Sequence, residues 1–99
     1  MNYRMLAIAE EDLAAAAQYY ERQVPGLGND FLDEFASAMR FVCQQPEAWR
    51  AISRLHRRCL MRRFPYAVIF RQEPDFILVA GVMDQRLNPA KLSERLRQT

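Results

Sequence analysis

Ninety-nine residues, 51% of them apolar, suffice for one hydrophobic core in one domain. No stretch approaches the roughly 20 uninterrupted apolar residues that cross a bilayer, and Met5 to Ala9, followed at once by Glu10, Glu11 and Asp12, is too short for a secretory signal. The net charge of +2 is unevenly placed: residues 1–49 hold three bases against eight acids, a net of −5, and residues 50–99 hold eleven bases against four acids, a net of +7.

Thirteen of the fourteen bases are arginine, whose planar fork suits bidentate contacts with phosphate or carboxylate. A polyanion or an acidic partner is therefore expected at the C-terminal half, with a solvated strand face as the plain alternative. Cys43 and Cys59 lack metal-type spacing and lie in apolar context. They read as two buried, reduced thiols, and the chain as cytoplasmic.

In chain order, Tyr3 to Ile8 alternates in part and reads as a first strand. Glu10, Glu11 and Asp12 then suit a helix N-terminus. Leu13, Ala16, Ala17 and Tyr20 continue at helical spacing, so a helix is expected over about 10–23. Pro25-Gly26-Leu27-Gly28 turns the chain, and Asn29 or Asp30 is placed to cap a second helix over 28–45. Phe31, Phe35, Ala38, Met39 and Val42 make its apolar stripe, and Pro46 ends it. Two helices on so short a loop must form an antiparallel hairpin.

After Trp49 the period changes to two. Arg57 to Arg63 alternates loosely, Tyr66 to Arg71 follows Phe64-Pro65, and Phe76 to Met83 is apolar almost throughout, as a central strand is. Leu92 and Leu96 suggest a short, weak C-terminal helix. The order β-α-α-β-β-β predicts an α+β fold, with the helical hairpin packed on one face of a mostly antiparallel sheet. Phe31, Phe35, Met39, Val42, Val68, Phe70, Leu78 and Val82 are the expected core.

The segments Asp12-Leu13, Tyr19-Tyr20-Glu21, Pro25-Gly26-Leu27-Gly28 and Phe31-Leu32-Asp33-Glu34 resemble the helical hairpin of RelE/ParE-type toxins. Arg57-Arg58, Arg62-Arg63-Phe64-Pro65-Tyr66, Val82, Arg86 and Asn88-Pro89 resemble their strand core. The likeness covers about residues 3–90 and lies in the order and spacing of the pieces. It implies a type II toxin held inactive in a hetero-oligomer by a cognate antitoxin. RelE-like members cleave messenger RNA in the ribosome, and ParE-like members are associated with inhibition of DNA gyrase. Fold alone does not choose between those targets.

A metal-free ribonuclease needs a base for the 2′-hydroxyl, cations for the phosphate and an acid for the leaving oxygen. Mapped from Pro65-Tyr66, two of the basic positions that the resemblance implies hold Arg58 and Arg86. Two others hold Leu60 and Ala67, the C-terminal tyrosine position falls near Leu92, and Asp84 stands where related nucleases place a histidine. Candidate catalytic residues are thus Arg58, Arg62, Arg86 and the lone His56, which beside Arg57 and Arg58 can be a neutral base but more commonly is a surface or interface residue. An Asp84–Arg86 ion pair is the structural alternative at the end of the last strand. Arg57, Arg58, Arg62 and Arg86 are the expected partner-binding set. No Gly-rich phosphate loop, paired-carboxylate signature or metal cluster is present, so no cofactor and no metal are expected. A gyrase-directed ParE-like toxin is preferred; the alternatives are a ribosome-dependent RNase and a non-toxic binding member.

Overall fold

Apolar residues at helical spacing before Trp49 and at alternate spacing after it sort the chain into a helical half and a sheet half. A computed structural model describes residues 1–86 and 88–99. The elements are β1 (Asn2–Met5), α1 (Ala7–Gln23), α2 (Leu27–Gln44), a 3₁₀ turn (Pro46–Ala48), β2 (Arg50–Ala51), β3 (Arg57–Leu60), β4 (Tyr66–Gln72), β5 (Phe76–Asp84) and α3 (Pro89–Gln98). One sheet runs β1-β5-β4-β3-β2, with β1 parallel to β5 and the other pairs antiparallel. The expected architecture is observed, with β2 added to it.

The stripe Phe31, Phe35, Ala38, Met39 and Val42 closes over Cys59, Val68, Phe70, Ile77, Val79 and Val82. Ala9, Ala16 and Ala17 bring α1 into the same core. The opposite face presents Ala67, Ile69 and Ala80, packed against Leu92 and Leu96 of α3. Three layers result: hairpin, sheet, and one short helix beneath.

Several expectations are corrected. The first strand stops at Met5, not Ile8, because the Leu6 carbonyl already accepts the N–H groups of Ala9 and Glu10 at 2.9 and 3.0 Å. Neither Asn29 nor Asp30 caps α2; both lie within it, and Gly26 is the N-cap at φ 90°. The free amides find Glu21 of α1 instead, whose carboxylate accepts from Gly26 N at 2.9 Å and Gly28 N at 3.0 Å. β3 ends at Leu60, not Arg63, since Arg63 N turns to donate to Glu34 Oε1 at 2.7 Å. β5 is interior, between β1 and β4, while β4 holds the centre. Leu78 is half-buried, not core: Ile77 and Val79 take the hairpin face, and Leu78 points away between Arg4 and Arg71. Cys59 is buried but Cys43 only half-buried, and both thiols are free.

Candidate partner-binding site

β3 and β5 run in the same direction on either side of β4, so their C-terminal ends lie together at one end of the sheet. Tyr66, at the start of β4, pairs with Asp84 at the end of β5. The second half of α1 adds Tyr19 and Tyr20, and the first turn of α3 adds Lys91. Tyr20 packs on Phe64 with 4.7 Å between ring centroids, and Phe31 meets Tyr66 at 5.1 Å. These rings fix the end of the sheet firmly to the hairpin. A cleft of about 340 Å³ opens there, with Tyr19, Tyr66, Asp84, Lys91 and Arg95 among its lining.

The four candidate arginines do not share one surface. Arg57, paired with Phe70, faces the hairpin side and donates to the Trp49 carbonyl at 2.7 Å. Arg58, paired with Ile69, faces the α3 side and donates to Gln85 Oε1 at 2.8 Å. Arg62 is exposed in the turn after β3. Arg86 is held by Asp84 through Nε at 3.1 Å and Nη2 at 2.8 Å, and its own backbone N–H donates to the same carboxylate. The Asp84–Arg86 ion pair read from the sequence is thus present. Only Arg58, Arg62 and Arg86 come to the same end of the sheet.

Charge at this end is set by those contacts. Hydrogen bonding to Arg86 holds the Asp84 carboxyl below its usual range and the Arg86 guanidinium above its own. Burial pushes the Tyr66 and Tyr20 phenols up, with Asp84 adding to both. The phenols therefore stay protonated at neutral pH, and the ionised carboxylate is occupied by its arginine. Arg58 donates to the neutral amide of Gln85, and with Lys91 and Asp84 it lines a smaller cleft of about 210 Å³. Phosphate or carboxylate can be attracted here. A poised proton donor or acceptor is not what these contacts make.

His56 lies at the other end of β3 and is 3% exposed, which corrects the surface or interface reading. Its Nδ1 meets Ser53 Oγ at 3.2 Å and its Nε2 meets Thr99 Oγ1 at 2.9 Å. Burial lowers its pKa first and Arg71 second, so the cation that matters is not the expected Arg57 or Arg58. Both ring nitrogens serve structure, tying the β2–β3 loop to the end of α3. Of the positions that break the ribonuclease pattern, Ala67 is fully buried and Leu92 packs on the α3 face, while Leu60 is exposed.

Sequence reasoning missed Gln85 and Lys91 beside Arg58. Gln85 carries no signal alone, because its role exists only once β3 and β5 flank β4 as antiparallel neighbours. Lys91 is marked in the sequence as the one lysine among the bases.

With this geometry in view, the comparisons are decisive on family. Residues 3–89 match the family model described as the ParE toxin of the type II toxin–antitoxin system, parDE. The chain belongs to that family. Among solved structures it is similar to one titled "Chromosomal ParDE TA system from P. aeruginosa", with a TM-score of 0.72 and 17% sequence identity, covering 85% of this chain and 95% of the other. At that identity the likeness speaks for the fold. Among curated proteins, no sequence matches this chain. The ParE toxin assignment agrees with the resemblance read from the hairpin and strand motifs. No helix among the described residues is long and apolar enough to cross a membrane.

Proposed function

We propose that this ParE family toxin arrests growth by binding DNA gyrase in the cytoplasm, does not itself cut RNA, and is silenced by a cognate antitoxin. The observation that carries the reading is the chemistry at the end of the sheet. Its carboxylate is neutralised by Arg86, its phenols are held protonated, and the lone histidine is buried at the far end. Loss of one general acid–base group typically lowers a rate about 10²- to 10⁴-fold. Several such losses leave a surface suited to binding.

Gyrase as the target is what the ParE resemblance implies, and the toxin–antitoxin pairing in the family's description supports the antitoxin. The arginines support either a nucleoprotein target or an acidic antitoxin, since both present negative charge. Induced expression tests the proposal. A DNA-damage response with intact messenger RNA is expected. Codon-linked messenger cleavage on programmed ribosomes, abolished by Arg86→Ala, would establish the RNase alternative instead.

A further inference from the structure

β2 lays Arg50 directly opposite Arg58 of β3. Opposed residues of an antiparallel pair share a face, and Arg58 shares its own with Ile69, so both arginines stand on the α3 side of the sheet. Ile52, two residues after Arg50, packs with Leu92 and Leu96 on the cluster of Ala67, Ile69 and Ala80, which sets β2 against the flank of α3. Like charges directly opposite each other destabilise a sheet. An anion laid over the pair removes that cost.

α3 extends the positive charge in both directions. At one end Lys91 lines the cleft of about 210 Å³ that also holds Arg58. At the other, Arg97 lines an open cleft of about 440 Å³ with Arg54 of the β2–β3 loop. Arg50, Arg54, Lys91 and Arg97 are exposed, and Arg58 is half-buried. Among the described residues none of these five forms an ion pair, whereas Arg63, Arg71, Arg86 and Arg95 each do. Asp84 borders the first cleft, but Arg86 already holds it at 2.8 Å. Glu94, the one acid of α3, pairs with none of the five.

Lys91 and Arg97 are six residues apart on α3, which is about 9 Å along its axis. A DNA duplex carries a charge about every 1.7 Å of its length, so the stripe faces several phosphates at once. A single carboxylate or phosphate would engage only part of it. Single-stranded RNA is gripped mainly by stacking its bases on aromatic rings. Neither cleft has an exposed aromatic ring, His56 being buried. Charge without stacking suits a regular phosphate backbone.

We propose that Arg50, Arg54, Arg58, Lys91 and Arg97 bind the phosphates of duplex DNA without reading its bases. This goes beyond the gyrase reading, because the toxin itself holds DNA and needs no gyrase to do so. The test is fluorescence anisotropy of a short labelled DNA duplex titrated with the purified chain over a series of salt concentrations, with gyrase absent. With about four phosphates neutralised, log affinity is expected to fall against log salt with a slope of about −3.6. Arg50→Gln, Arg54→Gln and Lys91→Gln should each reduce that slope by about 0.9, whatever the duplex sequence. Arg22→Gln on α1 and Arg40→Gln on α2 remove the same charge from the hairpin and should leave it unchanged. All five side chains are exposed, so the variants should fold as the wild type does, which circular dichroism checks. No binding at low salt, or an equal loss from the hairpin variants, would overturn the stripe. Tighter binding of a single-stranded RNA of the same length, or equal binding of polyglutamate, would overturn duplex DNA as its partner. None of these results bears on gyrase inhibition, which the supercoiling assay reads separately.

Discussion

Burial decides what His56 does. An imidazole 3% exposed, hydrogen-bonded at both nitrogens and near Arg71, is favoured in its neutral form. Its folded pKa lies below the ordinary 6.5, so the unfolded chain binds the extra proton as pH falls. Stability from this residue is therefore complete above about pH 6.5 and is lost as pH falls through the folded value. Thermal melts across pH 8 to 5 should show Tm falling in that window. His56→Asn should be less stable at pH 8 and flatter below pH 6.5; an unchanged slope would contradict the role. Glu21 is the second residue whose environment defines it. Glu21→Ala removes the acceptor for Gly26 N and Gly28 N and should cost about 1 kcal/mol in urea melts, the usual scale of a lost N-terminal cap.

At the scale of elements, one contact sets how the two hairpin helices pack and another ties α3 to α1 and β5. Where α1 and α2 cross, a Cβ on Gly28 would fall 2.6 Å from the Ala17 carbonyl oxygen, a backbone atom that cannot step aside. Gly28→Ala should therefore cost about 1–3 kcal/mol, the range for overpacking. On the other side of the sheet, α3 is fastened by Arg95, whose Nη1 and Nη2 reach Asp12 of α1 at 2.6 and 3.1 Å. Asp12 Oδ2 also accepts Val82 N at 3.0 Å, on the stretch of β5 that extends past β1. Asp12→Ala leaves a largely buried guanidinium and an edge amide unmatched. It should cost about 2–4 kcal/mol, with loss of amide protection concentrated in α3 and the end of β5. The hairpin and the two long strands, β4 and β5, were legible because Phe31, Phe35, Met39 and Val42 keep one period, and Val68, Phe70, Ile77 and Val79 keep another. β2 was not: two residues carry no period. The cap on α2 was misread because it comes from a different helix, and His56 because its partner Thr99 lies 43 residues onward.

Over the whole molecule, the sign of charge follows the layers. The half that folds as β1 and the hairpin carries a net of −5, and the half that supplies β2 to α3 carries +7. An acidic partner is therefore steered toward the sheet, and its association rate should fall as salt rises while dissociation changes little. Charge reversal at Arg62 should remove part of that salt dependence, as stopped-flow kinetics would show. The sequence placed the arginines in the correct half. It also offered the Asp84–Arg86 pair that the fold forms, but grouped Arg57 and Arg58 in one binding set although they face opposite sides of the sheet. The central claim is that this end of the sheet binds its target and performs no bond chemistry of its own, with gyrase as that target. DNA supercoiling by purified gyrase, titrated with the purified chain, tests it most directly. Loss of supercoiling that rises with toxin and is relieved by antitoxin is expected; undiminished supercoiling at large molar excess of the folded chain would contradict it.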